Sequence, residues 1–448
     1  MEWARSSSAT ISTVCSTGGS SPARALTSRT VQSETGWSGD LWWAERNLFH
    51  AFAPTVPYVR DSIRMLADNQ TPEGYVQACP FPERHRPLKS LELGPWESDE
   101  FAAWLVPVAW DYLLYTGDTK TLREVYPNIC RLMGYLMANR EPDGLFKMRP
   151  GYSKSIGGDR LGCVEHVTYM NLLLWMCYRD AAAIAEELKE PDSVLWRKEQ
   201  SALADVIRRR LWNAEGCHFK ASLESPCFRV LDNAFAFAIG FLTKEEANTL
   251  APRLTRFGVG KIQALILRGK FEYGYGTSAI KTFEGSNWLK VLEDSWPGAH
   301  CTTECMFMMT KSWWDESHPD TAMAGQLSDY VLGVRPTSPG YRTWTFEPRP
   351  GNLMFAEGRV PTPKGVIEAR WERVGDRLKC CVKAPDEAER NFEVDVPKEP
   401  DLSASDALKE GVLEIYDSFS DTSVTSNSYS ELEFDIGKVA GIRQICLT

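Results

Sequence analysis

Between about residue 38 and residue 335, apolar residues recur three and four positions apart, the spacing of helices that bury one face. The run beginning at Asp99 shows the pattern. Trp104, Leu105, Val108 and Tyr112 share a stripe, Tyr115-Thr116-Gly117-Asp118 interrupts it, and a second helix runs from Leu122 to Met137. Asp118 or Thr119 is placed to cap the second helix, and Pro142-Asp143-Gly144 closes the unit with a turn. The design returns in Met170–Leu188 with Val194–Leu211, split by Glu190-Pro191-Asp192, and in Leu231–Leu242 with Lys244–Leu254. Antiparallel helix pairs with short turns build either a solenoid or a closed ring of hairpins. No strict sequence period accompanies them, which weighs against a regular solenoid. At roughly 25 residues per helix and loop, the span holds about twelve helices. The predicted fold is mainly α, an (α/α)6 barrel over residues 34–335.

After Pro336 the pattern changes period. PTSPGYRTWTFEPRPG is punctuated by Pro and Gly, and VIEARWERV, DRLKCCVKAP and NFEVDVP then alternate apolar and polar residues. With EGVLEIYD and YSELEFDIG they predict a C-terminal β-sandwich over residues 336–448. Residues 1–33, rich in Ser, Thr, Gly and Ala, read as a loose lead-in.

Composition narrows the partners. The formal net charge of −10 argues against nucleic acid or an anionic membrane surface. Twelve cysteines are scattered, apart from the adjacent Cys380 and Cys381, with no C-x-x-C and no zinc spacing. They read as small buried hydrophobes in a reducing compartment. No apolar signal-peptide core stands near residue 1, and no run of about eighteen apolar residues occurs. The expected location is therefore cytoplasmic, or secreted if the N-terminus is incomplete. The 16 tryptophans suit either sugar-stacking platforms or a large helical core.

Three stretches combine carboxylates, aromatic rings and turn residues, as loops gripping a sugar at one end of a barrel would. In ETGWSGDLWWAERN, Trp37 is placed to stack on a sugar, Asp40 to bond its hydroxyls and Glu34 to donate a proton, while Trp42 and Trp43 enter the core of the following helix. In LGPWESDEFAAW, Trp96, Glu97, Asp99 and Glu100 precede a helix, where the positive helix end by itself favours acids. In LEDSWPGAHCTTECMFMMTKSWWDESHPD, Glu304 stands in the otherwise uncharged run Ala299–Thr310, one helical turn after His300. A carboxylate in apolar surroundings needs a partner or a raised pKa, and both mark catalytic groups. His318 and Trp313 or Trp314 follow as possible sugar contacts. EYGYGTS (272–278) reads as a loop, and no Walker, Rossmann, G-x-S-x-G or H-E-x-x-H pattern occurs.

The order GWSGD (36–40), DNQTPEGYV (68–76), PW with acids (95–100), YLLYTGDTKTLREVYP (112–127), TTE (302–304) and YVLGVRPTSPGYRTWTFEPRPGNLMFAEGRVPTPKGVI (330–367) resembles family 78 α-L-rhamnosidases. The resemblance implies a six-hairpin glycosidase barrel that hydrolyses terminal α-L-rhamnose with inversion, acting on a small-molecule glycoside or oligosaccharide without a cofactor or metal. It implies Glu304 as general base, and Trp37, Asp40, Trp96 and His318 as rhamnose contacts; Asp99, close to Trp96 in the same stretch, is a further expected substrate-binding residue. The family's proton donor stands four residues before the motif tryptophan; here that position is Ser33, and Glu34 follows it. The β-rich domains that precede the barrel in that family have no counterpart in the 33 residues before it. Two alternatives stay open: a non-hydrolytic lyase or biosynthetic enzyme on the same barrel, and a sugar-binding protein without catalysis.

Overall fold

The computed structural model describes residues 38–51, 56–78, 98–149, 165–254, 260–284, 325–385 and 389–400, with residue 387 and three short strands beyond. Two kinds of helix alternate along it. One set is α1 (Ser38–Ala51), α3 and α4 (Asp99–Ala103 and Leu105–Thr116), α6 (Thr168–Leu188), α8 (Val230–Ala238) and α10 (Gly260–Glu272). The other is α2 (Val56–Asp68), α5 (Thr119–Ala138), α7 (Asp192–Leu211), α9 (Lys244–Leu250) and α11 (Gly276–Glu284). Helices of the first set are enclosed on all sides: in α8 only Leu231 is not fully buried, and between Ile262 and Phe271 only Arg268 is not. Those of the second are amphipathic; α7 buries Trp196, Leu203 and Ile207 while leaving Val194 and Leu195 in solvent. A helix apolar all round has to lie inside, and an amphipathic one lies over it. The first set accordingly forms an inner layer, with α1 against α4, α4 against α6, α6 against α8 and α8 against α10. These are the predicted hairpins, five of them within the described residues; residues 285–324 lie outside.

Three of the links from an outer helix to the next inner one begin with the same tight reversal. Gln70 pairs with Val76, Arg140 with Phe146, and Trp212 (strand β1, Trp212–Asn213) with Phe219 (β2, His218–Phe219). An asparagine in the first turn of the following inner helix grips two of these reversals. The Asn171 side chain accepts from Phe146 N at 2.8 Å and donates to Phe146 O at 3.3 Å, and Asn233 does the same to Phe219 at 2.8 and 3.0 Å. The repeat is therefore carried by hydrogen bonds to backbone, which leave the rest of the sequence free to vary.

The boundary predicted at Tyr115–Asp118 is present. Gly117 ends α4 with φ 70°, and Asp118 caps α5, its Oδ1 accepting from Thr121 N at 3.1 Å. Gly117 also packs backbone to backbone: a Cβ there would lie 3.0 Å from the Cα of Gly340, in the turn leading to the C-terminal sheets. Two readings need correction. Asp99 and Glu100, expected just before a helix, form the first turn of α3, which is parted from α4 at Trp104, whose indole stacks on Trp42 with centroids 4.6 Å apart. Of the six described cysteines only Cys177 and Cys380 are buried; Cys130 in the middle of α5, Cys217 and Cys227 in turns, and Cys381 on a strand are half-buried.

A π-helical turn, Leu327–Leu332, leads into the paired strands β3 (Val334–Pro336) and β4 (Trp344–Phe346). Strands β5 (Phe355–Thr362), β6 (Gly365–Val374), β7 (Arg377–Lys383) and β8 (Arg390–Asp395) then form an antiparallel sheet in sequence order. The predicted alternation holds in β6, where Ile367, Ala369 and Trp371 face inward. The sheet is pinned to the helical body by Trp371, whose Nε1 donates to Val331 O at 2.9 Å. Strands β9 (Glu414–Tyr416), β10 (Thr422–Val424) and β11 (Ile442–Cys446) make a separate sheet in the order β10-β11-β9. All of YSELEFDIG, and the lead-in before residue 38, lie outside the described residues.

Candidate active site at the barrel mouth

The inner helices α1, α3, α6 and α8 begin at the same end of the barrel. Ser38 Oγ, at the start of α1, donates to Phe101 O in α3. Tyr169, at the start of α6, donates its hydroxyl to Glu100 Oε1 at 3.1 Å and its backbone N–H to Asp232 Oδ1 of α8 at 2.8 Å. Several helix N-termini therefore face one region, and their partial positive charge favours acidic groups there.

Acidic groups are what the mouth holds. Asp40 stands half-buried in the first turn of α1. Asp99 is fully enclosed: its oxygens accept from Arg149 Nη2 at 2.9 Å, Arg149 N at 3.1 Å and Tyr135 OH at 2.6 Å. The Arg149 guanidinium in turn lies over the rings of Tyr75 and Tyr135, at 4.8 and 5.1 Å. Glu100, one residue on, turns toward α6 and accepts from Trp104 Nε1 at 3.4 Å as well as from Tyr169. Burial, and then the charge of Glu100, push the Tyr169 hydroxyl well above its usual pKa. Asp232 forms a two-pronged, buried ion pair with Arg229, and burial raises its carboxyl pKa despite that partner.

Beneath this rim lies an aromatic plate. Trp42 stacks on Trp104, Trp43 meets Trp42 edge-on at 4.7 Å, and Phe235 closes on Trp104 at 6.0 Å. Trp42 and Trp43 are core residues, as their helical spacing predicts. Deeper still is a layer of charge. Arg46 donates to Asp111 at 2.9 Å through Nε, and His50 Nε2 and Tyr115 OH both donate to Asp329, at 2.8 and 3.1 Å. Burial opposes the ionisation of Asp329, yet His50 and Arg46 hold its pKa below the usual value.

Of the residues singled out in the sequence, Asp40 and Asp99 fall in the structure, and both lie at the inner helix starts. Glu34, Trp37, Trp96, Glu304 and His318 lie outside the described residues. Glu100, named with Asp99 in the same stretch, also lies on the rim, whereas Tyr169, Arg229 and Asp232 are rim residues that the sequence pattern did not single out. Their common signal is position, since each occupies the start of a helix apolar on all sides. Elsewhere, Glu165, His166 and Glu224 bring three potential metal-ligand atoms within 4.8 Å of one another. His166 Nδ1 is already paired with Glu224 Oε1 at 2.6 Å, and Lys147 lies 3.2 Å from Glu165, so these groups satisfy one another. No described helix is long and apolar enough to cross a membrane.

A ring of helical hairpins with acids and aromatic rings at the inner helix starts, followed by a sheet domain, defines the six-hairpin glycosidase class. Residues 31–258, just over half of the chain, match the family model of the bacterial alpha-L-rhamnosidase 6 hairpin glycosidase domain, and residues 333–409 that of the bacterial alpha-L-rhamnosidase C-terminal domain. The chain belongs to this α-L-rhamnosidase family. It is 20% identical over 396 residues to an alpha-L-rhamnosidase of Alteromonas sp. (strain LOR), a match covering 78% of this chain and 39% of that protein. Among solved structures it resembles the GH78 family rhamnosidase of Bacillus sp. GL1 (TM-score 0.63, 18% identity, 78% of this chain and 37% of that one). It also resembles the Streptomyces avermitilis alpha-L-rhamnosidase complexed with L-rhamnose (TM-score 0.61, 13% identity, 78% and 34%). At these identities the solved structures show a shared fold. The chain spans about two fifths of the length of its curated relative.

Proposed function

We propose that this protein removes terminal α-L-rhamnosyl residues, or those of a related deoxysugar, from a small-molecule glycoside or oligosaccharide by inverting hydrolysis. The observation that carries the reading is the family match over residues 31–258, whose described part holds an acid-rich rim over an aromatic plate. In this reading Glu304 is the general base that draws a proton from water on the face of the sugar opposite the leaving group. Glu34 protonates the departing glycosidic oxygen. Inversion needs the two carboxyls about 6.5–9.5 Å apart, so that a water fits between them and the anomeric carbon. Trp37, Trp96 and His318 contact the ring and Asp40 its hydroxyls, while Asp99, held by Arg149 and Tyr135, keeps the start of α3 in place. Release of free sugar from an aryl α-L-rhamnoside by wild type, and none by Glu304→Gln, is the expected result; no release by folded wild type would overturn the reading.

The serine at position 33 favours a second reading, because it stands where the resemblance places the acid. The protein would then bind the sugar without cleaving it. Saturable rhamnose binding with no turnover, retained in Glu304→Gln, would select that reading.

A further inference from the structure

The charge layer beneath the tryptophans contains one group that nothing in the proposed hydrolysis uses. Glu45, on α1, is 0% exposed, and neither of its carboxyl oxygens has a hydrogen-bond partner among the described residues. The charged groups that act on it are its neighbour Arg46, Asp111 on α4 and Asp180 on α6. Around these stand Arg179 on α6, Arg268 and Glu272 on α10, His50 on α1, Tyr115 on α4, Arg335 on β3, and Asp329 and Tyr330 in the π-helical turn. Their charges already match. Arg46 is bonded to Asp111 and lies 3.7 Å from Asp329, Arg179 holds Asp180 at 2.7 Å, and Arg268 also acts on Asp180. Four guanidinium groups, those of Arg46, Arg179, Arg268 and Arg335, thus face four acids, Asp111, Asp180, Asp329 and Glu272, and His50 Nε2 is occupied by Asp329. An ionised Glu45 would add a fifth negative charge, on a carboxyl that accepts no hydrogen bond from any described residue and is closed to solvent. A neutral carboxylic acid is far less costly to bury there.

We propose that Glu45 is kept as a protonated carboxylic acid in the folded barrel, and that its ionisation at rising pH loosens the inner layer beneath the candidate site. Burial first, and then Asp111, raise its pKa well above the usual carboxylate range, in agreement with the geometry. The sign of the linkage follows. The folded chain retains a proton that the unfolded chain gives up, so the stabilisation is full below the usual carboxylate pKa and is lost as pH rises through the raised value.

The test compares the full-length wild type with Glu45→Gln, which keeps shape and neutrality. Between about pH 4 and about pH 8, the wild-type Tm should fall by several degrees relative to that of the variant. Infrared spectra in D2O of protein labelled with 13C-glutamate should show a protonated carboxyl band at neutral pH that the variant lacks. Absence of that band overturns the protonated acid, and a band accompanied by parallel melting curves overturns the lock. Should Glu45→Gln fail to fold, the wild-type spectrum decides alone: a protonated glutamic acid at neutral pH supports the assignment, and its absence refutes it.

Discussion

Lys270 offers a quantitative test of the packing between α10 and α11. It is 2% exposed, and its ammonium donates to Thr282 Oγ1 at 2.8 Å. Burial lowers its pKa from 10.5 to about 8. At about 1.4 kcal/mol per tenfold change in proton affinity, that lowering is worth roughly 3 kcal/mol. Below pH 8 both folded and unfolded chains carry the proton, and the fold bears the whole cost of a buried ammonium. Between pH 8 and 10.5 only the unfolded chain holds the proton, so stability rises with pH across that window and levels off above it. Replacing Lys270 with Met keeps the length and removes the charge. Thr282 loses a donor but still gives its own proton to Ser278 O at 2.8 Å, and the lost bond costs about 1 kcal/mol. The expected net effect of Lys270→Met at pH 7 is a stabilisation of about 2 kcal/mol, read as a higher midpoint in urea. The advantage should shrink as pH approaches 10.5 and then reverse by the value of the lost hydrogen bond. Equal destabilisation by Lys270→Met at pH 7 and pH 10 would refute the reasoning, because it would mean that the amine bears no desolvation cost.

Two further predictions concern the scaffold of the mouth and the domain junction. Asp99→Asn removes the buried carboxylate charge that Arg149 pairs with at 2.9 Å and should cost about 3 kcal/mol in chemical denaturation, more than the same change at an exposed acid such as Asp61. A difference under about 0.5 kcal/mol between the two would show that the pair is not held as described. Gly117→Ala combines a positive φ of 70° with a Cβ at 3.0 Å from the Gly340 backbone, and should lower stability by at least 1 kcal/mol, whereas Gly134→Ala, where a Cβ meets nothing within 4 Å of it in α5, should be neutral or stabilising.

How much of this was legible beforehand depends on which force sets each feature. Helical periodicity, the break at Gly117-Asp118 and the alternation in β6 follow from local propensity and the burial of one face, so they are written in consecutive residues. The core positions of Trp42 and Trp43 follow in the same way, from their place past the first turn of an apolar helix. Motif order was informative for the family because several short matches recur in the same sequence along the chain, although each is weak alone.

Asp99 and Glu100 show where local reading stops. Both are acids in the first turn of one helix, and the helix dipole accounts equally for either. A rotation of about 100° between successive helical residues sends Asp99 to Arg149 and Tyr135, and Glu100 to Trp104 and Tyr169. Which neighbour each meets is decided by how α3 packs among the hairpins. The split at Trp104 has the same origin, since the indole's partner Trp42 is 62 residues away in the chain. The charge layer is likewise invisible in sequence: Glu45, Asp111, Asp180 and Arg268 sit on four helices that only the closed inner layer brings together. The amino-acid sequence by itself determined the helices, their turns and the family. The tertiary structure decided which acids are paired, which rim residues converge, and which carboxyl is left without a partner, because burial and charge are properties of neighbours that the chain order does not name.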